Sequence, residues 1–111
     1  MTADGTANLE TLTLNSTAQA NTLTTVTTAD VDVTKLVVTG DQGLEITDSL
    51  SSEITEIDAS AHTGTAAGLT LSAVPGYTAG ITIKGGAGPD AVVGSAAGLD
   101  NISGGAGNDT I

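Results

Sequence analysis

Hydrophobic residues recur in short pairs, with a single residue between the two members, along most of the chain. The pairs are Leu12 and Leu14, Leu36 and Val38, Leu44 and Ile46, Leu69 and Leu71, Ile81 and Ile83, and, with a two-residue gap, Ile54 and Ile57. A period of two is typical of β-strands. Glycine and small polar residues lie between the pairs, as at 40–43 and 75–76. No stretch of ten residues has a helical pattern, so the sequence predicts an all-β fold.

The spacing of these strands indicates how they pack. One inward residue from each strand forms a ladder: Leu14, Val26, Val38, Ile46, Ile57, Leu71, Ile83, Val92, Ile102 and Ile111. Such spacing suits an antiparallel sandwich or a parallel β-solenoid, in which each strand stacks on one about two steps later. A sandwich favours Asn-Gly or Asp-Gly hairpins and aromatic pairs, but the chain has only Asp4-Gly5 and Tyr77. The pattern therefore favours a parallel β-solenoid (β-helix), with coils of about 20–24 residues that tighten to 18–19 near the carboxyl end.

Composition narrows the classes of function. The chain has 111 residues, which suits one domain, and no cysteine, which excludes disulfides and thiolate metal sites. Thirteen acidic residues face only Lys35 and Lys84, giving a net charge of −11. That charge repels nucleic acids and anionic membranes and attracts cations, although solubility alone also explains acidity. No apolar run approaches the ~18 residues of a membrane span. We expect the chain to be an internal segment of a longer protein.

A glycine-rich repeat occupies residues 85–111. The stretch "GGAGPDAVV" at 85–93 fits the nonapeptide G-G-x-G-x-D-x-U-x, where U is a large aliphatic residue, and "GGAGNDTI" at 104–111 fits it one residue short. Between them "GSAAGLDNIS" is a degenerate copy with one inserted residue. Glycine permits backbone angles that let several carbonyl oxygens converge, and the closing aspartate adds a carboxylate. Hard oxygen ligands of this kind suit Ca²⁺.

The repeat also predicts which turns meet. Because one nonapeptide is half a coil, turns two repeats apart stack on the same side. We therefore expect Asp90 and Asp109 to share one calcium ion held between turn 85–90 and turn 104–109. Asp100 belongs to the opposite edge, where we expect a weak site or none. The candidate ligand residues are Gly85, Gly86, Ala87, Gly88, Asp90, Gly104, Gly105, Ala106, Gly107 and Asp109, with Asp100 as the weaker candidate.

Calcium should decide whether this segment is ordered. Facing carboxylates repel one another without a cation, so we expect 85–111 to be disordered without calcium and ordered with it. The competing interpretation is a flexible glycine-rich linker. A linker gives no reason for aspartates at 90, 100 and 109, each followed two residues later by an aliphatic side chain.

Other polar residues receive plainer interpretations. His62, in "DASAHTG", is expected on the surface in a turn. Two acidic groups are expected to be solvated strand faces, with an added metal or acid–base role as the alternative: Glu53, Glu56 and Asp58, and Asp41, Glu45 and Asp48. The threonines at 22, 24, 25, 27 and 28 are expected to face solvent. No phosphate-binding loop or nucleophile motif is present, so we expect no enzyme within these residues.

The terminal repeats resemble those of RTX proteins, a resemblance that implies calcium binding and export by the type I system of Gram-negative bacteria. Upstream stretches such as "TKLVVTGDQGLEIT" and "ITEIDASAHTGTAAGLTLSA" look like coils of the alphaproteobacterial RTX surface-layer (S-layer) proteins. Shared features are Ala/Thr richness, a V-T-G strand end, a D-A-S turn and a strand that leads into G-G-A-G-x-D. The resemblance implies Thr/Ala-rich β-solenoid coils over 1–84, continuous with RTX β-roll repeats over 85–111.

By this resemblance the chain is a structural, calcium-binding segment of a secreted cell-surface lattice protein. Its implied partners are calcium ions, further copies in the lattice and neighbouring domains of the parent protein. The alternative is a calcium-stabilised accessory region of a type I-secreted adhesin or exported enzyme, whose active part lies elsewhere.

Overall fold

The computed structural model describes residues 10–24, 26, 33–47, 50–72, 80–95 and 98–111. Within these ranges every regular element is a β-strand, which confirms the all-β prediction. The strands are β1 (Thr11–Ser16), β2 (Asn21–Leu23), β3 (Lys35–Gly40), β4 (Leu44–Ile46), β5 (Glu56–His62), β6 (Leu69–Leu71), β7 (Thr82–Lys84) and β8 (Asn101–Ser103).

The strands form two parallel sheets between which the chain alternates. The larger sheet has the order β1-β3-β5-β7-β8, and the smaller has the order β2-β4-β6. Parallel bridges from Thr70 to Ala91 and from Ala91 to Thr110 extend the smaller sheet toward the carboxyl end. All described strand pairs are parallel. From β1 to β5 each strand pairs with the second strand after it, whereas β7 pairs with β8, the next strand. The antiparallel sandwich is excluded for the described part of the chain.

The register fixes how many residues separate successive layers. We call one return of the chain to the same sheet a pass. Leu12 pairs with Leu36, 24 positions later, and Leu36 pairs with Ile57, 21 positions later. Ile57 pairs with Ile83 after 26 positions, and Ile83 with Ile102 after 19. The shortening to 19 agrees with the sequence, whereas the pass of 26 is longer than expected and spans 73–79, which lie outside the described residues.

Like aliphatic side chains stack in columns between the two sheets. Leu36, Ile57 and Ile83 are fully buried in one column, and each such side chain contributes about 1.5–3 kcal/mol by leaving water. All predicted ladder positions from Leu14 to Val92 are buried. Ile102 is only half-buried, and the inward placement of Ile111 is wrong, since it is 67% exposed. Both lie in the last described pass, where no further layer covers them.

The predicted D-A-S turn is a strand with a bulge. β5 runs unbroken from Glu56 to His62, and its register against β3 shifts by one residue between Asp58 and Ala61. The amide and hydroxyl of Ser60 donate to Asp58 Oδ1 at 3.1 and 2.5 Å, which accommodates the extra residue. His62 is buried, and its Nε2 lies 2.8 Å from the carbonyl oxygen of Gln42. The surface placement of His62 is therefore wrong, because pairing with β3 carries the strand through it.

Candidate metal centre

The two complete glycine turns stack directly on each other. Ala87 forms a parallel bridge with Ala106, 19 positions later. The Gly88 amide donates to the Ala106 carbonyl at 2.7 Å, and the Ala106 amide donates to the Gly86 carbonyl at 2.9 Å. The turns at 85–90 and 104–109 therefore meet as the repeat spacing predicts.

Glycine is required where these turns touch. Gly88 has φ of +96° and Gly107 has φ of +135°, in the left-handed region that side chains disfavour. A Cβ on Gly88 would overlap the carbonyl oxygen of Gly64, and one on Gly107 would overlap the carbonyl oxygen of Gly88. Gly64, Gly88 and Gly107 thus form a column in which backbone carbonyls approach backbone carbons without any intervening side chain.

The carboxylate of Asp90 lies inside this stack. Asp90 is 2% exposed, and its Oδ1 accepts the Leu69 amide at 2.6 Å. Its Oδ2 accepts the Gly86 amide of its own turn at 3.0 Å. Asp109, which is half-buried, accepts the Asp90 amide on Oδ1 at 3.0 Å. Of these two carboxylates, that of Asp109 lies between the two glycine turns, whereas that of Asp90 points toward the preceding pass at Gly68–Leu69.

Asp100 makes an equivalent set of contacts on the way into β8. Its Oδ1 accepts the Ile81 amide at 3.0 Å and the Ser95 hydroxyl at 2.7 Å. These hydrogen bonds, that of Ser95 first, lower the pKa of Asp100 from its ordinary value. Asp100 is exposed, unlike Asp90.

One contact recurs in all three repeats, including the degenerate one. A Cβ on Gly85 would meet Asp90 Oδ2 at 2.5 Å, and one on Gly94 would meet Asp100 Oδ2 at 2.5 Å. Gly104 lies against the carboxylate of Asp109 in the same way. The glycine precedes its aspartate by five residues in the complete repeats and by six in the degenerate one. The degenerate repeat therefore keeps the contact between glycine and aspartate despite its inserted residue. The regular spacing of glycine and aspartate in the sequence is the pattern that indicates this contact.

The chain's only two lysines hold a different acidic pair. Lys35 Nζ lies 3.2 Å from both Glu56 Oε1 and Asp58 Oδ2, and Lys84 Nζ lies 3.0 and 3.5 Å from the same two atoms. These contacts cross β3, β5 and β7. Hydrogen bonds from Lys84 and Lys35 lower the pKa of Glu56. The pKa of Asp58 is also lowered, chiefly by the hydrogen bond from the Ser60 hydroxyl. Glu56 and Asp58 are thus ion-paired and half-buried, which corrects their interpretation as a solvated face.

The remaining acidic candidates are scattered. Asp41 and Glu53 are exposed, and Glu45 is half-buried and accepts the Ser72 hydroxyl at 3.2 Å. Asp48 and the threonines at 25, 27 and 28 lie outside the described residues, whereas Thr22 and Thr24 are exposed. Across the described ranges, no three acidic or histidine side chains converge as a metal-binding group. Any metal site in the glycine turns would therefore use backbone carbonyls beside a single carboxylate.

Comparisons with family models, with curated proteins and with solved structures return no match to this chain. In the portion that the structure describes, no helix is long and apolar enough to cross a membrane.

Proposed function

We propose that the chain is a calcium-binding structural segment of a secreted, RTX-type surface-layer protein. In this proposal the two parallel sheets are the coils of a β-solenoid over 1–84, and residues 85–111 continue it as a β-roll. Support comes from the alternation of the chain between sheets, the fall of the pass length to 19 residues and the pairing of β7 with both β5 and β8.

The observation that carries the metal proposal is the direct stacking of the two glycine turns, with the Asp109 carboxylate between them. Burying an anion is costly unless a cation or several donors compensate it. Both lysines of the chain are ion-paired to Glu56 and Asp58, so neither is available to the glycine turns. The Asp90 amide hydrogen-bonds the Asp109 carboxylate but brings no positive charge to balance it. An external cation would supply the missing positive charge.

The donor set favours calcium over softer metals. The stacked turns offer backbone carbonyl and carboxylate oxygens, and the chain has no cysteine. The chain's one histidine, His62, lies outside both turns, with Nε2 on the Gln42 carbonyl. Oxygen-only sites with flexible geometry suit Ca²⁺, whereas Mg²⁺ demands a tighter octahedron and retains its water. The ion would be held through backbone oxygens of Gly85, Gly86, Ala87, Gly88 and Asp90 in one turn and of Gly104, Gly105, Ala106 and Gly107 in the other, with the Asp109 carboxylate between the turns. Asp100 would hold a second ion weakly or not at all.

A structural role outside the cell follows from the expected affinity. Extracellular calcium modules bind at roughly 10⁻⁴–10⁻³ M, well above cytosolic concentrations. A segment of this kind would gain order after export and then support a lattice of copies on a Gram-negative cell surface. The second candidate, an accessory region of an exported adhesin or enzyme, is favoured by the same calcium site and differs in its partners.

The first experiment is a calcium titration followed by calorimetry and far-ultraviolet circular dichroism, with magnesium in parallel. We expect calcium to bind and to increase β-structure, and magnesium to do neither at equal concentration. Asp109→Asn should weaken calcium binding at least about tenfold, because it removes the charge that lies between the turns. Asp41→Asn, an exposed change of the same kind, is the matched control and should bind as the parent does. Equal binding by both variants would contradict the proposed site.

A second experiment separates the two candidate functions. Calcium is added to the protein, and sedimentation velocity and negative-stain electron microscopy follow its assembly. A lattice segment should form ordered oligomers or sheets, whereas an accessory region should remain monomeric while it binds calcium. Monomers at saturating calcium would remove the lattice proposal and leave the calcium site intact.

A further inference from the structure

The strand that leads into the first glycine turn is short, and its apolar pattern fits two registers. β7 pairs with β5 through three residues, with Ile83 opposite Ile57. Ile81, two positions before Ile83, is also buried. A shift of β7 by two positions would place Ile81 opposite Ile57 and would keep its aliphatic side chains on the inner face, because side chains alternate with a period of two. Apolar burial therefore excludes a shift by one position but not a shift by two.

Lys84, the last residue of β7, distinguishes the two registers. It lies opposite Asp58, and its Nζ is 3.0 Å from Glu56 Oε1 and 3.5 Å from Asp58 Oδ2. After a shift by two positions Lys84 would lie opposite Ser60, about 13 Å along the strand from Glu56. The contact with Glu56 would then be broken, so the ion pairs favour the observed register.

The register of β7 also fixes where the first glycine turn begins. Gly85 follows Lys84 directly, and the turn 85–90 ends at Ala91, which bridges to Thr70 in the other sheet. The turn therefore connects two paired positions, one in each sheet. A shift of β7 alone by two positions would move the start of the turn by about 6.6 Å. Calcium–oxygen distances of about 2.3–2.6 Å leave little tolerance for such a displacement.

We propose that Lys84 is a positioning residue for the candidate calcium site, because its ion pairs with Glu56 and Asp58 select the register of β7 and so place the start of turn 85–90. The proposal deepens the calcium function and rests on it. Lys35 has a different role: its Nζ, 3.2 Å from the same two carboxylate atoms, joins them to β3 rather than to the strand that enters the turn. Removing either lysine leaves the other on the acidic pair.

The sign of the effect separates positioning from simple electrostatics. A lysine beside a cation site repels the ion, so removing the charge of Lys84 should raise calcium affinity if charge alone matters. If Lys84 positions the turn, its removal should lower the affinity in spite of the weaker repulsion.

The test is calcium affinity measured by isothermal titration calorimetry for Lys84→Met, Lys84→Arg and Lys35→Met. Lys84→Met should lower the affinity by about fivefold, the scale expected for two exposed ion-pair contacts. Lys84→Arg keeps the charge and can bind both carboxylates, so it should stay within about twofold of the parent. Lys35→Met is the matched control: it removes the same charge from the same acidic pair and should also stay within about twofold.

Interstrand nuclear Overhauser effects report the register of β7 directly. The Thr82 amide donates to the Thr55 carbonyl at 2.9 Å. In Lys84→Met we expect a second set of cross-peaks that links the Thr82 amide to Ile57, two positions further along β5, whereas Lys35→Met should show the parent set alone. Because β7 precedes the glycine repeat, the spectra are recorded both with calcium and in chelator.

Three outcomes would overturn the proposal: an unchanged or raised calcium affinity in Lys84→Met, an equal loss in Lys35→Met, or a single parent-like set of cross-peaks in Lys84→Met. Absence of calcium binding by the parent protein is a different result, which would remove the calcium function. The cross-peaks of the two methionine variants would then still decide whether Lys84 selects the register of β7.

Discussion

Replacing Gly88 by alanine should weaken calcium binding strongly if the stacked turns are the site. Gly88 has φ of +96°, where an L-residue costs about 1–2 kcal/mol relative to glycine. The added Cβ would also overlap the carbonyl oxygen of Gly64 in the preceding pass, so the turn must move as well. A combined cost of about 2 kcal/mol that falls only on the ordered, calcium-loaded form corresponds to about a thirtyfold loss of affinity.

Gly98 provides the matched control for this prediction. It has the same φ of +96° but is exposed and lies outside both stacked turns. Gly98→Ala therefore introduces similar backbone strain without disturbing the column of Gly64, Gly88 and Gly107. Calcium affinity by isothermal titration calorimetry should fall by about tenfold or less in this variant.

Two results would refute the reasoning. If Gly88→Ala binds calcium as tightly as the parent protein, the stacked turns do not form the site. If Gly98→Ala is equally damaging, the loss reflects general backbone strain rather than displacement of one turn from the other. Circular dichroism in chelator should accompany both titrations, so that loss of the metal-free fold is seen separately.

The remaining predictions concern the core and the ion pairs. Ile83→Ala, at a fully buried position, should lower the free energy of unfolding measured in urea by about 2–5 kcal/mol. Ile102→Ala, at a half-buried position in the same column, should lower it by less than half as much. Equal losses would contradict the layered core. Glu56→Gln should lower the melting temperature at pH 7, because hydrogen bonds from Lys84 and Lys35 depress the pKa of Glu56. A carboxyl group whose pKa is lower in the folded than in the unfolded protein stabilises the fold fully above the unfolded pKa, here 4.5. In chelator, the difference in melting temperature between parent and variant should therefore disappear as the pH falls through the folded pKa of Glu56. A difference that persists at pH 2 would show that it does not arise from the ion pairs.

The parallel pairing and the stacking of the glycine turns could be predicted from the sequence because both follow from spacing. Strands of period two at intervals of about ten residues suit alternate pairing, and the two G-G-A-G motifs are 19 residues apart, which is the pass length observed between Ile83 and Ile102. Glycine then marks the positions where one backbone touches the next. The strand spacing, the motif spacing and the glycine positions can all be taken from the sequence itself.

The cross-strand contacts could not be predicted in the same way. The bulge at Asp58–Ala61 shifts the register of β5 against β3 by one residue, and no local pattern marks it. The contact of Asp58 with Lys84 joins β5 to a strand 26 residues later in the chain. The sequence predicts a turn at His62 because its small polar neighbours are typical of turns, whereas pairing with β3 extends the strand through it. The repeat predicts an inward Ile111, but the side chain is exposed because burial also requires a covering layer, which the pattern of a single repeat does not show.

The two ion-paired lysines have a consequence for crowding. Eleven acidic groups of the chain have no basic side chain to match them, so two molecules approaching each other repel over the Debye length, about 8 Å at physiological ionic strength. How closely such molecules pack side by side is then set by the surrounding ions. We expect the spacing between molecules in an array to decrease at high divalent-cation concentration. Removal of divalent cations should increase that spacing or cause molecules to dissociate.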